Sequence, residues 1–308
     1  MLLYKIEKDN KLKEIRESKF KYEKDIQRFT EENIELIFNL TFVKSEFILH
    51  NFRIDTLAFD EEKKSFTIIE YKKDKSFSVI DQGYAYLSLM LNNKADFILE
   101  YNESLQQNLK RTDVDWSQSK VIFISPSFTE YQKESINFKD LPIELWEIKY
   151  FGNQTISYIP QKASGATESI KTISKKSKTI EKVSEEIKVY TEADHIEQAS
   201  EDVEELYQKF KIAILNISDT ISVNPMKMYI SFNSNKHTIC DFHLYKGYLK
   251  IWINLKKGEL LDPKNLTKDV SETGHWGKGD YQVQVGDDNN FEYVLSLIKE
   301  SYKKINAI

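Results

Sequence analysis

The chain has 308 residues, with 44 Lys plus Arg against 49 Asp plus Glu and a net charge of −5. That length suits two domains, and 40% hydrophobic content with 13% aromatics suffices for packed cores, while nine glycines and five prolines exclude a fibrous or disordered class. One cysteine, Cys240, excludes an internal disulfide or a cysteine-rich metal site, and the acidic balance excludes a globally basic grip on nucleic acid but not a local basic stripe.

In chain order, residues 2–7 read as a strand followed by a turn at Asp9-Asn10. The first seven residues are too few and too quickly charged for a signal peptide. No apolar run nears the roughly 20 residues of a membrane span. The expected setting is therefore a reducing cytoplasm, with no membrane contact. Residues 12–17 read as a second strand or the start of a helix. A helix is expected from about Tyr22 to Leu40, its stripe formed by Tyr22, Ile26, Phe29, Asn33, Ile37 and Leu40. Glu23 and Glu32 sit on opposite borders of that stripe, with Glu31 and Glu35 at the back. Residues 42–49 read as a strand. Residues 52–59 and 66–72 then read as a hairpin around the polar turn 60–65. A further helix carries Phe77, Ile80, Tyr84, Leu87 and Leu91 at spacings of three and four. Helices are expected over 95–109 and 128–136, and strands over 120–124, 143–151 and 155–159.

Residues 161–192 are dominated by Ser, Thr, Lys and Glu and read as a polar linker, helical in part from 179 to 188. Three basic stretches stand out: Lys11 to Lys24, Lys72-Lys73 with Lys75, and Lys171 to Lys182. Residues 193–308 read as a smaller α+β domain. It opens with a helix carrying Leu206, Phe210, Ala213 and Ile214. Strands follow over 226–232, 238–244, 248–254 and 281–285, with a closing helix over 290–305. His237, Cys240 and His243 are spaced by three, so on a strand they alternate faces and do not converge on one metal. Gly274-His275-Trp276-Gly277-Lys278-Gly279-Asp280 lacks the spacing of a phosphate loop. It reads as an ordinary hairpin-like loop, with a cradle for a phosphate or base as the alternative.

The chemistry concentrates in the hairpin. Alternation along a strand puts Glu70 and Lys72 on one face and Ile69 and Tyr71 on the other. Asp55 on the partner strand meets Glu70 across the ladder. Two carboxylates so placed repel unless a cation lies between them, and oxygen ligands suit Mg²⁺ or Mn²⁺. Gln82 and Tyr86 are four apart, one turn above each other on the following helix. Glu-x-Lys alone is weak, since it recurs at Glu147-Ile148-Lys149 and Glu186-Ile187-Lys188. Only the first copy has an Asp-bearing strand before it and a Gln-x-x-x-Tyr helix after it.

Asp55, Glu70-x-Lys72 and Gln82-x-x-x-Tyr86 together resemble the PD-(D/E)XK nuclease superfamily, in the branch with a Gln-x-x-x-Tyr helix. The resemblance covers roughly residues 20 to 160, with Ile54 where the motif has proline. It implies a restriction-endonuclease-like mixed sheet flanked by helices over residues 1–160. It also implies a Mg²⁺- or Mn²⁺-dependent nuclease acting on nucleic acid, DNA first, in restriction, defence or repair. In such a site Asp55, Glu70 and the Tyr71 carbonyl hold the metal, Lys72 serves the attacking water, and Gln82 and Tyr86 align the substrate. Glu23, or Glu32 second, completes the acidic set, and a homodimer is compatible. The rival expectation is a non-cleaving nucleic-acid- or protein-binding module with the same fold. The C-terminal half resembles a domain of unknown function sometimes labelled a predicted transport protein.

Overall fold

The computed structural model describes residues 2–73, 78–161, 168–170, 172, 177–235 and 237–307. It divides into two compact units, Met1–Val189 and Tyr190–Ile308. Phe77, expected on the buried stripe, and Lys75, Lys171, Lys175 and Lys176 of the basic stretches lie outside the described residues.

In the first unit, β1 (Tyr4–Ile6) and β2 (Leu12–Glu14) form an antiparallel pair, which settles residues 12–14 as strand. Then come β3 (Glu17–Ser18), α1 (Glu23–Glu31), α2 (Ile34–Phe38), β4 (Thr41–Leu49), β5 (Phe52–Asp60) and β6 (Ser65–Tyr71). They are followed by α3 (Val79–Asn92), α4 (Lys94–Leu105), β7 (Lys120–Ser125), α5 (Glu130–Ser135), β8 (Ile143–Phe151) and β9 (Thr155–Gln161). The seven-stranded sheet has the order β3-β8-β7-β6-β5-β4, with β9 paired to β8. It is mixed: β6, β7 and β8 run parallel, and their neighbours are antiparallel.

Period-two alternation gives this sheet two apolar faces. Leu57, Phe59, Phe66, Ile68, Val121, Phe123 and Leu145 pack with α3 and α4. Ala58, Ile69, Tyr71, Ile122, Ile124 and Ile148 pack on the other face with Phe20, Ile26 of α1 and Ile34 of α2. All seven residues of β6 are buried, as expected of a central strand covered on both sides.

Two expectations are corrected. The helix expected over 22–40 is two helices. Asn33 leaves the helical region (φ −131°, ψ 23°) and its Nδ2 donates to the Phe29 carbonyl at 2.9 Å, an instance of an amide side chain competing with the helix ladder. The stretch read as a linker over 161–192 also contributes to the core. It contains α6 (Lys178–Glu186), whose Ile180 and Val183, together with Ile187, join the α3 side of the core. Three apolar residues at helical spacing were enough to bury one face of an otherwise polar segment.

The second unit contains α7 (Glu192–Ile196), α8 (Glu201–Leu215), β10 (Ile221–Pro225), β11 (Ile230–Ser234), β12 (His237–Leu244), β13 (Leu249–Ile253), β14 (Lys268–Asp269), β15 (Tyr281–Val285) and α9 (Phe291–Asn306). Its sheet is antiparallel, in the order β10-β11-β12-β13-β15-β14. One face packs Phe232, Cys240, Phe242, Ile251 and Val283 against Phe210 of α8 and Val294 and Ile298 of α9. The short edge strands β10 and β14 are additions to the expected pattern. β10 ends at Pro225, a residue tolerated at sheet edges.

Candidate active site at the carboxyl end of β6

The β5–β6 ladder runs in register from Asp60↔Ser65 to Thr56↔Ile69. One step further the strands stop exchanging backbone bonds, and the Tyr71 amide instead donates to Asp55 Oδ2 at 3.1 Å. On its other side β6 stays bound to β7, where the Lys72 amide donates to the Ile124 carbonyl at 2.9 Å. Asp55 thus occupies the point where β5 leaves β6, at the carboxyl end of parallel strands. That is where α/β sheets open a crevice.

Glu70 is 4% exposed and points to the α3 side. Its Oε1 accepts from Lys72 Nζ at 2.7 Å and from Gln82 Nε2 at 3.1 Å. Gln82 Nε2 also donates to the Tyr86 hydroxyl at 3.3 Å. The helix can present this pair because Gly83 lets it approach the sheet: a Cβ there would lie 2.4 Å from Ile143 Cδ1 and 3.5 Å from Phe123. Glu70 Oε2 is buried with no hydrogen-bond partner among the described residues. A buried carboxylate oxygen without a donor is costly to leave so.

Electrostatics follow from this crowding. Burial, then the Glu70 charge, pushes the Asp55 carboxyl up to about 7; the Tyr71 amide and Lys72 offset part of that, and Glu23 adds to it. Burial and then Glu70 raise the Tyr86 phenol, which stays neutral. Asp55, Glu70, Lys72, Gln82 and Tyr86 are therefore brought together. Asp55 and Glu70 offer hard oxygen donors, one of them partnerless, as a divalent cation requires. Yet among the described residues no three His, Cys, Asp or Glu side chains form a metal-holding group.

Glu23 belongs to α1, on the opposite face of the sheet. Its Oε2 accepts the Lys73 amide at 2.8 Å at the end of the strand, and its charge acts on Asp55. Glu32 caps α1 and is exposed. The carboxylate that α1 turns inward is Glu31, expected at the back. It accepts from Thr56 Oγ1 at 2.5 Å and from Gln27 Nε2 at 3.0 Å. Gln27 Nε2 also donates to the Asp55 carbonyl at 3.0 Å, and Thr56 Oγ1 meets the Tyr71 hydroxyl at 3.0 Å. This polar brace lies directly behind Asp55 and Tyr71. The signal for it in the sequence is Thr56, a hydroxyl in an apolar strand, facing the Gln27–Glu31 pair four residues apart. Beside the strand end, Lys73 Nζ donates to the Lys21 carbonyl at 3.0 Å, which draws part of the Lys11–Lys24 stretch toward Lys72 and Lys73.

Fold and site together describe an α/β protein whose mixed sheet, flanked by helices, gathers two carboxylates and a lysine at a strand end, joined to a second, antiparallel-sheet unit. The chain belongs to the same family as an uncharacterized protein of Haemophilus influenzae, to which it is 50% identical over 296 residues, 96% of this chain and 98% of that protein. Residues 192–304 match a domain of unknown function, DUF5655. Two solved structures are similar at low overlap. A repair endonuclease from Pyrococcus abyssi is 16% identical, covering 43% of this chain and 49% of its own, with a TM-score of 0.25. An EndoMS complex with double-stranded DNA is 15% identical, covering 47% of this chain and 60% of its own, with a TM-score of 0.27. The chain thus spans about half to three-fifths of the length of those structures. No helix among the described residues is long and apolar enough to cross a membrane.

Proposed function

We propose that the first unit is a metal-dependent nuclease of the PD-(D/E)XK type that hydrolyses phosphodiester bonds in DNA. The observation that carries this reading is the pair of facing acids, Asp55 raised by burial and by Glu70, and Glu70 with a buried, partnerless oxygen. Asp55, Glu70 and the Tyr71 carbonyl would hold Mg²⁺ or Mn²⁺, which supplies Lewis-acid polarisation of the scissile phosphate. Lys72, fixed by Glu70 at 2.7 Å, orients the attacking water and offsets the charge that develops on the phosphate. Gln82 holds the Glu70 carboxylate in place, and Tyr86 stays a neutral donor beside it. Lys21 and Lys73, both exposed next to the strand end, supply local positive charge for the substrate backbone despite the acidic total.

The test is cleavage of single- and double-stranded DNA and RNA in Mg²⁺, Mn²⁺ or EDTA, for wild type beside Asp55→Ala and Lys72→Ala. DNA cutting that needs metal and falls by about 100-fold or more in both variants is expected. Wild-type cleavage by Lys72→Ala sinks the assignment.

A further inference from the structure

The Gly274–Asp280 loop lies in the second unit, over the sheet face that turns away from the helices. Strand register aligns Asp241, Trp252 and Gln282 in one row of that face, and His243, Lys250 and Gln284 in the next. The loop is fixed in several ways. The Lys278 amide donates to Oδ2 of the fully buried Asp241 at 2.6 Å. The His275 ring bridges the Thr273 carbonyl at 2.7 Å and the Gly279 carbonyl at 3.0 Å. Gly277 leaves room for Trp252, whose ring would lie 2.5 Å from a Cβ. Gly279 adopts φ +87°, and a Cβ there would lie 2.1 Å from the Ile253 carbonyl oxygen.

What this rigid loop presents is Trp276, 49% exposed, with its ring centroid 5.0 Å from that of His243. The rings continue from there. Tyr245 lies 4.4 Å from His243, and Tyr248 stacks on Tyr245 at 4.6 Å and 19°. Lys250 Nζ stands 5.0 Å from the Tyr245 ring centroid and makes no ion pair among the described residues. Burial lowers the His243 pKa, a hydrogen bond with the Met228 carbonyl opposes that, and the Lys250 charge adds to it. Lys246 is exposed at the turn between the two tyrosines. A large apolar ring held outward by so much local structure is unlike the scattered apolar exposure of ordinary surfaces.

We propose that Trp276, Tyr245 and Tyr248, with the buried His243 packed between Trp276 and Tyr245 and with Lys250 beside them, form a stacking platform for single-stranded nucleic acid. Flat rings suit bases of any identity, and a lysine that donates only to the Tyr245 hydroxyl at 3.5 Å, with no ion pair among the described residues, suits the phosphate backbone. The neighbouring positions Gln282 and Gln284 are polar. The platform stands independently of the nuclease reading of the first unit.

The test is fluorescence anisotropy of a labelled oligothymidylate titrated with the full-length protein in EDTA, which suppresses metal-dependent cleavage. Wild type should bind. Trp276→Ala and Tyr248→Ala should each weaken binding about tenfold with unchanged melting temperature, and Trp276→Phe should restore most of the affinity. Lys250→Gln should flatten the dependence of log affinity on log salt by about 0.7. Absence of wild-type binding overturns the proposal, including the case where a peptide binds instead. So does full affinity in a folded Trp276→Ala, or loss in Lys72→Ala with none in Trp276→Ala, which assigns the binding to the first unit.

Discussion

Asp55 and Glu70 oppose each other at the end of a ladder, and burial, then the Glu70 charge, makes Asp55 harder to ionise. The cost to the fold has a definite sign. A carboxyl whose folded pKa is about 7, against an ordinary 3.8, stabilises the fold below the lower value, and that contribution is lost as pH rises through the upper one. Asp55→Asn keeps an acceptor for the Tyr71 amide and removes the charge. In EDTA at pH 8 it should melt higher than wild type by a few degrees, roughly, and the gap should close toward pH 4. An equal or lower melting temperature at pH 8 would refute the electrostatic account. The positions of Glu70, Lys72, Gln82 and Tyr86 were legible because the strand and helix periods fix which side chains share a face. The brace of Gln27, Glu31 and Thr56 was not. It depends on the break at Asn33 and on α1 packing across the sheet from Asp55, and neither follows from a helical wheel.

At the scale of elements, α3 decides how closely Gln82 and Tyr86 approach the strand ends. The turn that places them is the one where Gly83 packs on Ile143. Gly83→Leu forces a branched side chain into that contact and should destabilise the fold by about 1–3 kcal/mol. It should also reduce cleavage more than the loss of folded protein explains, because the Gln82 bond to Glu70 at 3.1 Å cannot survive a displaced helix. Denaturation with parallel turnover measurements checks both, and unchanged turnover of the folded fraction would separate Gly83 from the site. The strands were the most readable elements: β8 and β15 fall where alternation and apolar runs put them, over 143–151 and 281–285. The helix expected over 22–40, and the burial of the one expected over 179–188, were harder to read. One is cut by a single asparagine, and the other draws its stability from α3 rather than from its own composition.

For the whole molecule, the two units have separate apolar cores, one built around Phe66, Leu87 and Phe123 and the other around Phe210, Phe242 and Val294. A fragment of residues 190–308 should therefore melt cooperatively alone, seen as a sigmoidal loss of near-ultraviolet circular dichroism. A broad, featureless transition would show that the second core is incomplete without the first unit. Two domains could be expected from length, the second was read as starting at residue 193, and the second unit starts at Tyr190; that residues 178–187 pack with the first could not be read. The polar composition near residue 180 hides the apolar stripe of Ile180, Val183 and Ile187.

Cys240 lies fully buried in that second core, and burial raises its thiol well above the ordinary range. Because it is the chain's single cysteine, the molecule carries a built-in chemical clock. A thiol reagent finds no target until the second unit opens, so the speed of labelling times that opening alone, while any unfolding of the first unit passes unrecorded.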